Sequence, residues 1–181
     1  MRATFQNMTR EEPIAAAAIA VALGGMATIL GAWFFEYALK YEPCPLCLEQ
    51  RIAYYVAIPL AVVVAAAALA RLPRKFLIGG LAIIAVAMLW NAGLGIYHAG
   101  VEWKWWAGPQ ECAGGLGDLG AIGDLLKRAE TARVVGCDEA AWRFLGLSLA
   151  GWNVVISLGL AAIALVGARA SMRQGSSSVS Q

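Results

Sequence analysis

The stretch IAAAAIAVALGGMATILGAWFF (Ile14–Phe35) holds 22 residues without a charge. A helix of that length is long enough to cross a hydrocarbon core about 30 Å thick, which takes roughly 20 apolar residues. Arg2 and Arg10 stand before it, so an export signal is the first alternative. The apolar run is too long for that, because the core of a signal spans about 7–15 residues. It also ends in Trp33-Phe34-Phe35, an interfacial anchor rather than a small-residue cleavage site. The stretch is therefore read as a retained membrane span. Three more uncharged runs follow it: Ile52–Ala70, Phe76–Tyr97 and Phe144–Ala168.

These four runs fill about half of the 181 residues, and the whole chain is 60% hydrophobic and 14% charged, with a mean hydropathy of +0.65. Such an apolar load excludes a soluble enzyme. A nucleic-acid binder is excluded too, because the net charge of +2 is spread along the chain with no basic stripe to meet phosphates. The expected fold is an all-α membrane protein, one domain over 1–181 forming a four-transmembrane-helix bundle. Its spans are 14–35, 52–70, 76–97 and 144–168, its loops 36–51 and 98–143, with a short polar lead at 1–13 and a flexible tail at 169–181. No internal repeat is present.

Four spans place both ends of the chain on one side. The segments on that side (1–13, 71–75 and 169–181) carry seven Lys and Arg, three of them in the turn Arg71-Leu72-Pro73-Arg74-Lys75. The opposite loops carry seven as well but are twice as long, so the basic density puts both termini in the cytoplasm. All four cysteines, Cys44, Cys47, Cys112 and Cys137, fall in the opposite loops. Disulfides persist in an oxidising compartment such as a bacterial periplasm, and cysteines confined to one face support the same orientation. The chain is thus expected in a bacterial inner membrane, with a long periplasmic loop between the third and fourth helices.

The first pair lies in Glu42-Pro43-Cys44-Pro45-Leu46-Cys47-Leu48-Glu49-Gln50-Arg51, which runs into the second span. A Cys-x-x-Cys pair closes a small disulfide ring whose reactivity depends on how readily one sulfur becomes a thiolate. Cys47 sits at or near a helix N-terminus, where free N–H groups favour an anion. Arg51 follows four residues later, on the same face if the helix has begun. A guanidinium there would lower the thiol pKa further. Three blander readings stand beside this one. The first is a structural disulfide, the second is half of a zinc site, although a second close pair is missing, and the third is an Arg51 that only snorkels to the headgroups.

The second pair, Cys112 and Cys137, is read either as a structural bridge or as one half of a relay. Two dithiol pairs on one face can pass electrons by thiol–disulfide exchange through a mixed disulfide. Gly114 and Gly115 beside Cys112 leave room for another protein's thiolate. Electrons reaching Cys44 and Cys47 must leave again, and the sequence has no haem, flavin or metal-cluster motif. A lipid-soluble quinone is then the expected acceptor, and His98, the only histidine, ends the third span on the same face, either near that quinone or as an ordinary interfacial residue. Asn91 and Asn153 are expected to hydrogen-bond between helices, and Tyr54, Tyr55 and Tyr97 to pack at the interface. Trp103, Trp105 and Trp106 should lie on the membrane surface. Leu116, Leu119, Ile122, Leu125 and Leu126 suggest a marginal surface helix, weakened by Gly117, Gly120 and Gly123.

From the first span to the fourth, roughly residues 14–168, this pattern resembles the bacterial disulfide bond formation protein B (DsbB) quinone reductases. The resemblance rests on the four spans, on Cys44-x-x-Cys47-x-x-x-Arg51, on the later pair, and on Cys137–Leu147 with Trp142, Phe144, Leu145 and Gly146. It implies a membrane oxidase that reoxidises a periplasmic thioredoxin-like, DsbA-like dithiol oxidase and passes the electrons to ubiquinone or menaquinone. It further implies that Cys112 receives the partner's cysteine, that Cys137 is its bonded mate, and that Cys47 is the thiolate facing the quinone ring. Arg51 would hold that charge pair, with His98 nearby. Two other readings fit the sequence less well. Vitamin K epoxide reductase-like proteins carry their cysteine pairs in the opposite order, and a tetraspanin-like scaffold would have inert loop disulfides.

Overall fold

The computed structural model describes residues 2–109 and 137–176, and the side chains of 13–109 and 137–172. Helix α1 (Arg2–Trp33) runs into a π-helical turn, Phe34–Ala38. Helix α2 (Pro45–Leu69) starts from Cys44 as N-cap with a proline in its first turn, where a missing N–H costs nothing. Helix α3 spans Arg74–Glu102 after a turn through Arg71, whose φ is 59°. A two-residue hairpin, β1 (Arg143–Phe144) against β2 (Leu147–Ser148), leads into α4 (Leu149–Ser176). Each helix contains a segment long and apolar enough to cross a membrane.

The helices outrun the apolar stretches. A helix adds residues cheaply once nucleated, so α2 takes in Pro45–Arg51 and α3 continues to Glu102. The expected flexible tail is helical as far as Ser176, and Arg74 Nε donates to Ser171 Oγ at 2.6 Å, tying that end to α3. The fourth span starts later than expected. Leu145 (φ 52°) and Gly146 (φ 82°) take left-handed conformations that turn the chain back on itself, so 144–148 form the hairpin instead of helix. The polar lead is helical from Arg2. The surface helix expected near 116–128 lies outside the described residues.

Each helix packs on its two sequence neighbours and α4 closes on α1, giving an up-and-down ring. Small side chains make this close approach possible. Ala17, Ala18, Ala57, Ala61, Ala161 and Ala164 are buried, and a Cβ on Gly167 would strike Ala17. Leu23, Val63, Val86, Trp90 and Val166 are exposed and present an apolar surface to lipid. Within the ring, Asn91 Nδ2 donates to Ser157 Oγ (2.9 Å) and Asn153 Oδ1 (3.3 Å), the interhelical pairing expected of the two asparagines. Tyr54 joins them: it is buried, and its hydroxyl donates to Asn153 Oδ1 at 2.7 Å, so it is part of the interior network rather than an interfacial residue.

Candidate functional site at the thiol end of the bundle

The end of α1, the starts of α2 and α4 and the end of α3 meet at one end of the ring. Cys44 and Cys47 are free thiols there, with sulfurs 2.9 Å apart. As the N-cap, Cys44 turns its sulfur back over the first helical turn, where the Cys47 backbone N–H donates to it at 3.3 Å. His98 reaches the same sulfur from α3, its Nε2 3.6 Å away. The hydrogen bond from the Cys47 side chain, together with His98 and the Cys47 N–H, lowers the Cys44 pKa to about 4 against the opposing effect of burial. The negative charge settles on Cys44, and the proton the pair shares stays on Cys47.

A chain of hydrogen bonds fixes which His98 nitrogen carries hydrogen. The Leu46 carbonyl only accepts, so the Gln50 amino group lies against it at 3.2 Å, and the same Nε2 sits 2.8 Å from His98 Nδ1. Gln50 Oε1 in turn accepts from Asn153 Nδ2 at 2.5 Å. Facing a donor, Nδ1 accepts, so the ring N–H is at Nε2 and points toward the Cys44 sulfur. This bears on the zinc reading. The Cys44, Cys47 and His98 ligand atoms lie within 4.8 Å of one another, a set that zinc accepts. The tautomer set by Gln50 offers that set an N–H in place of a lone pair.

Arg51 lies one turn beyond Cys47, but its charge is engaged elsewhere. Its guanidinium donates to the Glu36 carboxylate, and both side chains are mostly buried. The π-helical turn carries Glu36 at this place, and such turns recur at functional sites. Thus the charge relation expected between Arg51 and Cys47 is replaced by an ion pair, and the donors gather on Cys44. Cys47 instead faces a cavity of about 340 Å³ between the helices, lined also by Glu36, Arg51, His98, Asn153 and apolar residues such as Ile29 and Ile156. Cys44 does not line the cavity; it is buried in a small cluster with Leu46, Val101 and Cys137, against which Cys47 also packs. Cys137 is buried and disulfide-bonded. Its expected mate, Cys112, lies outside the described residues.

Four polar groups at this end were not among the site residues expected from the sequence. Glu36 and Glu102 were legible only as charges bordering apolar runs, Gln50 as a polar residue one position before Arg51, and Asn153 only as an interhelical partner. The Trp segment turns off the end of α3. Trp103, Trp105 and Trp106 are all exposed, and the Trp106 indole donates to the Tyr97 carbonyl at 2.8 Å.

The model of the family described as "Disulfide bond formation protein DsbB" matches residues 15–167. A disulfide bond formation protein B of Methylococcus capsulatus is 33% identical over 147 residues, 77% of this chain and 85% of the relative. Proteins of the same description from Albidiferax ferrireducens (31%, 84% of this chain and 87% of the relative) and Polaromonas naphthalenivorans (31%, 84% and 91%) are also similar. No solved structure matches the chain at a significant level. Four spanning helices, a paired thiol at one end of the bundle and a family match over most of the chain lead to one conclusion: the chain belongs to the disulfide bond formation protein DsbB family, multi-pass membrane oxidoreductases of disulfide formation.

Proposed function

We propose that this protein is a protein-dithiol:quinone oxidoreductase of the bacterial inner membrane, a single domain with both termini cytoplasmic and the thiol end facing the periplasm. It reoxidises a periplasmic thioredoxin-like dithiol oxidase and passes the electrons to ubiquinone or menaquinone. The observation that carries this reading is the placement of the thiol pair: Cys44 is buried with Cys137, and Cys47, which packs on that cluster, also lines the apolar cavity. One pair thus adjoins both the loop disulfide and a lipid-level site.

The cavity fits a quinone head. Its volume of about 340 Å³ lies within the roughly 300–1,000 Å³ of small-molecule sites, and its lining is apolar with a few convergent polar groups. Arg51 and His98 would orient a quinone there beside Cys47. The quinone, when bound, supplies a two-electron acceptor.

The protein's own steps are thiol–disulfide exchanges. The partner's thiolate attacks Cys112 and displaces Cys137, which leaves as a thiolate. Cys137 then attacks Cys44 of a closed Cys44–Cys47 disulfide, and Cys47 leaves as a thiolate into the cavity. The partner's second cysteine releases Cys112, whose sulfur attacks Cys137, restoring the Cys112–Cys137 bond and freeing Cys44. Two electrons have then moved from the partner dithiol to the Cys44–Cys47 pair. The donors gathered on Cys44 stabilise the reduced pair. With a pKa of about 4 against about 8.5 for a free thiol, that amounts to about 4 kcal/mol at pH 7, or about 90 mV of oxidising power.

Cys47→Ser/Cys112→Ser leaves Cys44 and Cys137 as the two remaining thiols. Mild oxidation should join them in a bond visible by peptide mass mapping. Free thiols at both positions after oxidation would contradict the relay.

A further inference from the structure

Glu102 is the only buried carboxylate among the described residues, and neither the thiol exchange nor the cavity uses it. It ends α3 one turn after His98, with its Oε1 3.9 Å from His98 Nε2 and its Oε2 without a hydrogen-bond partner. Cys44 from the start of α2 and Arg143 and Ser148 from the hairpin face it, and its charge is also felt at Cys47. The His98 Nε2–H therefore lies between two acidic groups, Cys44 Sγ at 3.6 Å and Glu102 Oε1 at 3.9 Å.

Proton counting gives that position a use. The reduced pair holds one proton, on Cys47, and one negative charge, on Cys44. Closing the disulfide releases two electrons and that single proton, whereas reducing a quinone to a quinol takes two electrons and two protons. As the Cys44 charge vanishes into the S–S bond, Nε2–H is left facing Glu102 alone. In a buried site, one negative charge beside that N–H costs less than two.

We propose that Glu102 holds the second proton: it is protonated while Cys44 is a thiolate and gives up that proton as the Cys44–Cys47 disulfide closes and the His98 Nε2–H turns to the carboxylate. His98 keeps its Nε2–H throughout, donating toward Cys44 in the reduced state and toward Glu102 in the oxidised state, and the carboxyl proton is the second one that the quinol takes up. One negative charge stays beside Nε2 in both redox states, on Cys44 when reduced and on Glu102 when oxidised. On re-reduction Cys47 and Glu102 each take up a proton, one carried by the partner's second thiol and one released to water when its attacking thiolate forms. Glu102 acts through His98 and is a positioning residue rather than a catalytic one. The assignment rests on the quinone-linked reading above.

The test compares wild type, Glu102→Gln and Glu102→Asp as full chains in phospholipid nanodiscs. In quinone-free wild type, the reduced-minus-oxidised infrared difference spectrum should show the C=O stretch of a protonated carboxyl that is lost on oxidation by a small-molecule disulfide. The band should be absent in Glu102→Gln and restored, shifted, in Glu102→Asp. With a short-chain ubiquinone, single-turnover oxidation of Glu102→Gln should slow about 10²-fold, as for loss of a general acid. That rate should fall more steeply with rising pH, at unchanged quinone affinity. A band that persists in Glu102→Gln, no such band in wild type, or a wild-type pH profile in Glu102→Gln would overturn the assignment. Wild type that shows the band yet leaves quinone oxidised would contradict the quinone reading while upholding the Glu102 assignment.

Discussion

Replacing His98 by alanine removes one of three donors to the Cys44 sulfur, the Nε2–H at 3.6 Å, and leaves the Cys47 side chain and backbone N–H in place. A hydrogen bond to a charged group contributes about 1.5–3 kcal/mol, which at 1.36 kcal/mol per unit raises a thiol pKa by about 1–2 units. The Cys44 midpoint should therefore move from about 4 to about 5–6. The sign is fixed by the charge: losing a donor disfavours the thiolate, so the variant protonates at a pH where the wild type does not. Iodoacetamide reacts with the thiolate, and mass mapping separates Cys44 from Cys47. At pH 5 the Cys44 alkylation rate should fall about two- to tenfold in His98→Ala, and at pH 8 it should match the wild type. An unchanged midpoint, or one displaced downward, would refute the claim that His98 helps hold the thiolate.

Further predictions concern the shell around the thiols. Because Cys44 is held as a thiolate while Cys47 keeps its proton, reduced protein should be most stable near pH 8.5, about where both thiols titrate in the unfolded chain. It should lose about 1.4 kcal/mol per unit as the pH falls toward about 4; chemical denaturation in detergent should show this slope only in the reduced form. Glu36→Gln leaves the Arg51 guanidinium unpaired in a mostly buried place and should lower stability by about 1–3 kcal/mol. Adding Arg51→Gln should recover part of that loss, and strictly additive effects in a double-mutant cycle would argue against coupling. Asn153→Leu removes the donor that orients Gln50, at about 0.6–2 kcal/mol of stability. It should also raise the Cys44 midpoint, since the His98 tautomer is then no longer imposed; an unmoved midpoint would free the tautomer from this network.

The four spans and the two cysteine pairs were legible because length, charge and spacing are local properties of the chain. Spacing pointed to Cys47 as the thiolate, whereas the donors in the structure gather on Cys44, for a reason of geometry. Spacing placed Arg51 one turn beyond Cys47, yet Arg51 turns to Glu36, which the π-helical turn brings across from α1. The donors instead converge on the N-cap, and one of them, His98, arrives from 54 residues away. Gln50 carries no signal of its own between Glu49 and Arg51, because its importance lies in a path from Leu46 and Asn153 to His98 that only the packed bundle assembles. The late start of α4 was hidden because Phe144–Ser148 is apolar enough for a span, while its left-handed turn at Leu145 and Gly146 is a backbone property.

The central claim is that electrons leave through Cys47 to a quinone. The direct measurement reduces the purified protein in nanodiscs, removes the reductant without air, adds a short-chain ubiquinone, and follows quinone absorbance together with a count of free thiols. The account predicts one quinol formed for each Cys44–Cys47 disulfide closed, and none in Cys47→Ser. Quinone left oxidised by the wild type, or reduced equally by Cys47→Ser, would contradict it.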